Sequence, residues 1–338
     1  MKNRSRKAAG VPIAFLAAAS MVMTTSPAFA APQLDGVDLA EDTVNSLVFT
    51  PETGPIADAG TFLQKSDGSL VSETDNARLI IESGDAPAIE LSSDFYEPLR
   101  IDAALPGSVS IADKGSAVFE SNADYSVVPL PQDDGAVQLV TILDSSESPE
   151  RFDYDFSSTS DVTLNLQENG MVIVLDEAGG WLGGVASPWA FDSEGTAVPT
   201  HFEVLGSTLT QVVEHQSGDF VYPISADPYA NQNLWGSSSI DFYNGDQRVN
   251  LRLSAWGASH QLPWILIDYG WPEALGRSAL MKSVLTSKAS MRQQFDCHAF
   301  GSAFAGDWNL EKFRPNRTAL WSYGVAIHHC NWTTSYRY

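Results

Sequence analysis

Val162-Thr-Leu-Asn-Leu166 carries an apolar side chain at every second position. That period fits a strand, whose successive side chains point to opposite faces, and not the 3.6-residue period of a helix. The same signature recurs on both sides of it. Runs 136–143, 151–156, 171–175 and 208–214 are rich in aliphatic, aromatic and β-branched residues, as are 77–82 and 108–112. Asp-Gly, Asn-Gly and Gly-Gly pairs punctuate them. No long amphipathic helical pattern interrupts the series between 66 and 226. Many short strands at near-regular spacing predict an all-β antiparallel sandwich domain over 66–228.

The chemistry changes beyond Pro228. Residues 229–240 are small and polar, as linkers are, and a second domain is expected over 241–338. Asn244-Gly245 is a strong hairpin turn signal, and Arg248-Val-Asn-Leu-Arg-Leu253 after it alternates by twos. Pro272 suits the first turn of a helix that continues through Leu275, Ala279, Met281, Val284 and Leu285. A second helix from about 286 to 300 places Met291, Phe295 and His298 on one face. The tail 319–330 reads as a strand. This second domain is therefore expected to be a small α+β unit.

Residues 1–30 read as a cleavable secretory signal peptide. Lys2, Arg4, Arg6 and Lys7 precede a short apolar run, and Ala28-Phe29-Ala30 supplies a small-x-small cleavage site. The expected product is secreted and extracellular, with no membrane span. Residues 31–65 are acidic and rich in small residues; they read as a mobile leader with one strand near 44–49.

The whole chain has 19 Lys+Arg against 42 Asp+Glu. Without the four signal-peptide cations the net charge is −27, which argues against nucleic acid as a partner. The charge is split: residues 31–228 hold −30 and residues 229–338 hold +3. Contact between an acidic N-terminal and a basic C-terminal domain follows as an expectation.

Cys297 and Cys330 are the only cysteines. In an exported chain two thiols are expected to pair, tying the second helix to the last strand. The bond would bring His298 and His328 near one another, with Glu311 on the intervening segment. Two histidines and a carboxylate could perform acid–base catalysis or hold zinc. The opposing reading makes His298 a buried core residue and pairs Glu311 with Arg314, three positions on. No nucleophile motif, phosphate loop or metal-ligand spacing is present, so no cofactor and no metal are expected.

Gln294-x-x-Cys297-His298, Trp308-Asn-Leu-Glu311-x-x-Arg314-Pro315 and Cys330-Asn331, with Gly270-Trp271 before the first helix, resemble a secreted actinobacterial family. It is known as domain of unknown function 2599. The resemblance covers about 245–332 and implies secretion and the disulfide, but no activity. The run Tyr222-Pro-Ile-Ser-Ala-Asp-Pro228 loosely resembles the close of β-rich regions in other secreted actinobacterial proteins.

Seven of the nine tryptophans lie at or after Trp235. Aromatic density outside the cell suggests rings stacked on sugars or apolar ligands, although several must fill a core. Trp308, Asn309, Arg314 and Trp271 are the binding candidates. Three functions follow. The first is a non-enzymatic module for a cell-wall glycan or a secreted protein. The second is an effector released from its acidic region near Pro228. The third is a hydrolase using His298, His328 and Glu311.

Overall fold

The structure, a computed structural model, describes residues 36–47, 61–74, 77–84, 87–103, 109–120, 124–132, 134–259, 263–301, 306–318 and 330–335. The signal peptide and the 319–330 strand expected at the tail fall largely or wholly outside them.

Among the described residues, two antiparallel sheets form the N-terminal part, the first with eight strands and the second with ten. Leu99–Asp102, Arg151–Ser157, Thr208–Val213 and Thr200–Leu205 lie side by side at one end of the first. Val172–Asp176, Trp181–Val185, Tyr229–Asn231, Val137–Leu143 and Tyr125–Pro131 follow one another through the centre of the second. The two sheets share one core, in which Leu79, Ile101 and Phe156 of the first meet Phe119, Leu139 and Val174 of the second.

The two sheets differ in covering, and their sequences show it. In Arg151–Ser157, Phe152, Tyr154 and Phe156 point inward while Arg151, Asp153 and Asp155 face solvent. One wet face requires that alternation. Val137–Leu143 is buried along its whole length because the second sheet is covered on both faces. The shared core covers one face. On the other, Ala40 and Val44 of a helix pack on Val128, Val140 and Ile142, and the C-terminal region packs on Met171, Ile173 and Trp181.

Over the described residues 36–47 of the expected leader, the chain is that helix, Gly36–Ser46, and not a mobile segment running into a strand. Ala40 and Val44 are four apart, so both face the sheet. The acids that suggested mobility instead dock the helix. Glu41 accepts hydrogen bonds from the Lys114 and Ser116 amides, both at 2.8 Å, and Asp38 accepts one from the Asp113 amide at 3.0 Å.

The expected linker is also corrected. Tyr229–Asn231 is a buried strand inside the second sheet, and Trp235–Tyr243 begins the C-terminal sheet. The polar side chains between them satisfy buried backbone groups. Gln232 donates to the Leu182 carbonyl at 2.9 Å and the Glu97 carbonyl at 2.8 Å; Asn233 donates to the Asp134 carbonyl at 3.2 Å. Buried amides need such partners, so polarity marked internal hydrogen bonding here and not exposure.

The C-terminal region is a small α+β unit. Trp235–Tyr243, Asp246–Leu253 and Asp307–Glu311 form a three-stranded antiparallel sheet. Asn244 and Gly245 both have positive φ, 51° and 81°, as the two-residue hairpin turn demands. The first expected helix is two: Trp271–Gly276 and Ala279–Leu285. Ser278 breaks it, because its extended backbone starts a new helix and its hydroxyl caps the Met281 amide at 3.0 Å. Ala289–Gly301 is the second. No helix among the described residues is long and apolar enough to cross a membrane.

The two regions touch through aromatic side chains and hydrogen bonds. Trp181 and Trp256 meet edge to face at 5.4 Å. The Tyr96 hydroxyl donates to Glu273 at 2.9 Å, and the Tyr269 hydroxyl to the Gly179 carbonyl at 3.0 Å. Each ion pair between described residues joins groups of the same region.

Candidate functional site

Helix Ala289–Gly301 carries Gln294, Phe295, Cys297 and His298, and strand Asp307–Glu311 carries Trp308, Asn309 and Glu311. The helix packs on the strand, and the Cys297–Cys330 disulfide fastens the chain that follows. The bonded pair, with Cα atoms 5.4 Å apart, is buried with Trp332.

His298 lies flat on Trp308, with ring centroids 5.5 Å apart and planes 19° apart. Only 5% of it is exposed. Burial pushes its imidazole down to about 4, against a smaller opposing effect from a hydrogen bond with the Asn309 backbone. The ring is therefore neutral near pH 7. Trp308 is fully buried, edge to face with Trp235 at 4.9 Å and Phe295 at 5.4 Å. Trp271 is half-buried against Phe295 at 4.9 Å, under the Arg292 guanidinium.

Glu311 pairs with the Arg314 guanidinium, and both are buried. Arg314 also donates to the Trp332 carbonyl at 2.7 Å. Gln294 closes a reciprocal pair with the Glu311 backbone, accepting from its amide at 2.8 Å and donating to its carbonyl at 3.1 Å. Two salt-bridged groups held by extra hydrogen bonds form a satisfied core network, costly to break. Asn309 is half-buried and donates to the Asp307 carbonyl at 3.3 Å.

The structure thus places Cys297, His298, Trp308, Glu311 and Arg314 in one neighbourhood, where their side chains contact protein. Trp308 offers no ring face to a sugar, and Arg314 has no free charge to offer an anion. His328 lies outside the described residues. Among the described residues no group of three or more His, Cys, Asp or Glu could hold a metal ion.

Sequence reasoning passed over three features. Phe242 and Tyr243, just before the hairpin turn, are 78% and 47% exposed. The Arg248 guanidinium sits 4.8 Å from the Tyr243 ring centroid, and Phe313 adds a third ring at 6.1 Å. Two aromatics beside Asn-Gly were the available signal, because a hairpin tip has no core beneath it. The second is Glu273, fully buried and bonded to Arg277 at 2.7 Å, to the Leu234 amide at 2.8 Å and to the Trp235 amide at 3.2 Å. Burial raises its carboxyl and the Arg277 guanidinium opposes the rise. The third is Asp227, whose carboxyl burial drives up to about 8 although Gln138 donates to it at 2.9 Å.

Comparisons with known protein families, with curated proteins and with solved structures find no match. The functional reading therefore rests on the geometry of this chain.

Proposed function

We propose that the chain is a secreted, non-enzymatic binding module for a cell-envelope or secreted component. The observation that carries this is the exposed aromatic hairpin tip of Phe242 and Tyr243, with Arg248 and Phe313 behind it. Large rings cost free energy in water, and Tyr243 beside the Arg248 cation and Phe313, with the exposed Phe242 next to it in the strand, suits stacking on a ligand. Export is supported by the signal-like residues 1–30 and by the disulfide, a bond that persists in oxidising compartments. Membership of the domain of unknown function 2599 family belongs to the same proposal.

The other two readings gain less. His298 and Glu311 are already engaged inside the protein, so neither is an accessible base, and His328, the third residue of the hydrolase reading, lies outside the described residues. A cut near Pro228 would fall between buried Asp227 and the central strand Tyr229–Asn231, where a protease cannot reach without unfolding the sheet.

The test is sedimentation of the purified chain with purified bacterial cell wall. Retention is expected, and the pair Phe242→Ala with Tyr243→Ala should abolish it while leaving the circular dichroism unchanged. Undiminished retention of that variant, or none for the parent, overturns the reading.

A further inference from the structure

A cavity of about 570 Å³ lies where the two regions meet. Gly236–Ser239 of strand Trp235–Tyr243 forms one wall. Ser278, Leu280 and Met281 form another, and Thr74 and Asp134 of the β-rich region close it. This size is typical of a ligand site, and junctions of structural units are where such sites concentrate.

Two further observations say what the cavity suits. Strand Trp235–Tyr243 ends its sheet: it pairs with Asp246–Leu253 and has no strand on its other side among the described residues. Alternate backbone N–H and C=O groups of an edge strand point outward unpaired. Arg277 also touches the cavity, but its side chain is only 3% exposed and is held inside the protein by Glu273, the Trp235 carbonyl and the Phe95 ring. Among the described residues no aromatic ring lines the cavity, which gives a sugar no stacking surface there.

We propose that this cavity binds an extended peptide segment, which adds as a strand to the edge at Gly236–Ser239. Four residues span about 13 Å of edge. Main-chain hydrogen bonds supply the affinity in strand addition. Leu280, 56% exposed at the rim, covers one apolar side chain of the peptide. The site stands apart from the hairpin tip: Phe242→Ala leaves it intact, and wall retention through Phe242 does not depend on it.

The experiment selects binders from a displayed library of random octapeptides against the intact chain, then measures one selected peptide in solution. Binding should protect amides within 236–240 from hydrogen exchange. N-methylation of two alternate peptide amides should weaken binding about tenfold or more, since two hydrogen bonds are lost. Leu280→Asp, at an exposed position, should weaken it without altering the fold. The proposal is overturned if no peptide is enriched, or if binding tolerates N-methylation. It is also overturned if the same amides become protected in the chain alone as its concentration rises, which would show that a second copy takes the edge.

Discussion

Trp256 fills the space that a side chain on Gly184 would need: a Cβ there would stand 2.3 Å from the indole Cζ2. Gly184 lies in the second sheet of the sandwich and Trp256 in the C-terminal region, so one core crosses the line where the charge changes. A buried indole can yield little in a close-packed interior. Gly184→Ala is expected to cost about 1–3 kcal/mol by overpacking. Because the core is shared, the parent should unfold in one transition. Denaturant unfolding followed by tryptophan fluorescence and far-UV circular dichroism checks both. Two separated transitions in the parent would contradict the shared core.

His298 gives the fold an acid-side limit. Its folded value, near 4, lies below the ordinary 6.5, so the native state binds fewer protons between those values than the unfolded chain does. Its contribution to stability is complete above pH 6.5 and is lost as the pH falls towards 4, a loss of a few kcal/mol. His298→Phe keeps a ring on Trp308 and cannot titrate. The difference in melting temperature, variant minus parent, should therefore grow more positive from pH 7 to pH 4. A constant difference would mean that the imidazole is not held neutral by burial.

Asp227 acts with the opposite sign. Its folded value, about 8, is above the ordinary 3.8, so here the native state holds the extra proton. Stability from this group is complete below pH 3.8 and is lost as the pH rises to about 8. Asp227→Asn keeps the shape and cannot ionise. Its melting temperature relative to the parent should climb across that window and level off above pH 8. A flat difference would refute the buried neutral acid.

The Cys297–Cys330 bond closes a loop with a sequence separation of 33. In the chain-entropy model that is worth about 3–4 kcal/mol. Cys297→Ala with Cys330→Ala should lower stability by that order in urea titrations. A loss well under 1 kcal/mol would mean that the Arg314 and Trp332 contacts hold the segment without the bond.

Several elements were legible in the sequence. Arg151–Ser157 and Val162–Leu166 showed their alternation, and Asn244-Gly245 its turn, because backbone sterics and one-sided burial act over a few residues. Cys297 and Cys330 could be paired by count. Glu311 was read both as an acid–base candidate and as a partner of Arg314, and the structure shows the pair. Helix Gly36–Ser46 was missed because its acids looked like solvent-facing charge, and only the turn they cap lends them partners. The 229–235 stretch was missed for the same reason: Asn231, Gln232 and Asn233 are polar, yet buried.

The sequence by itself determined the strand-rich sandwich, the α+β region after it and the two cysteines that join, since each follows from local periodicity or composition. Only the tertiary structure decided which polar groups are inside. His298, Glu311, Arg314 and Trp308 have the residue types of a reactive site, but packing turns them inward and leaves Phe242 and Tyr243 in water. Exposure depends on what the remainder of the chain lays over a residue, and that information is non-local.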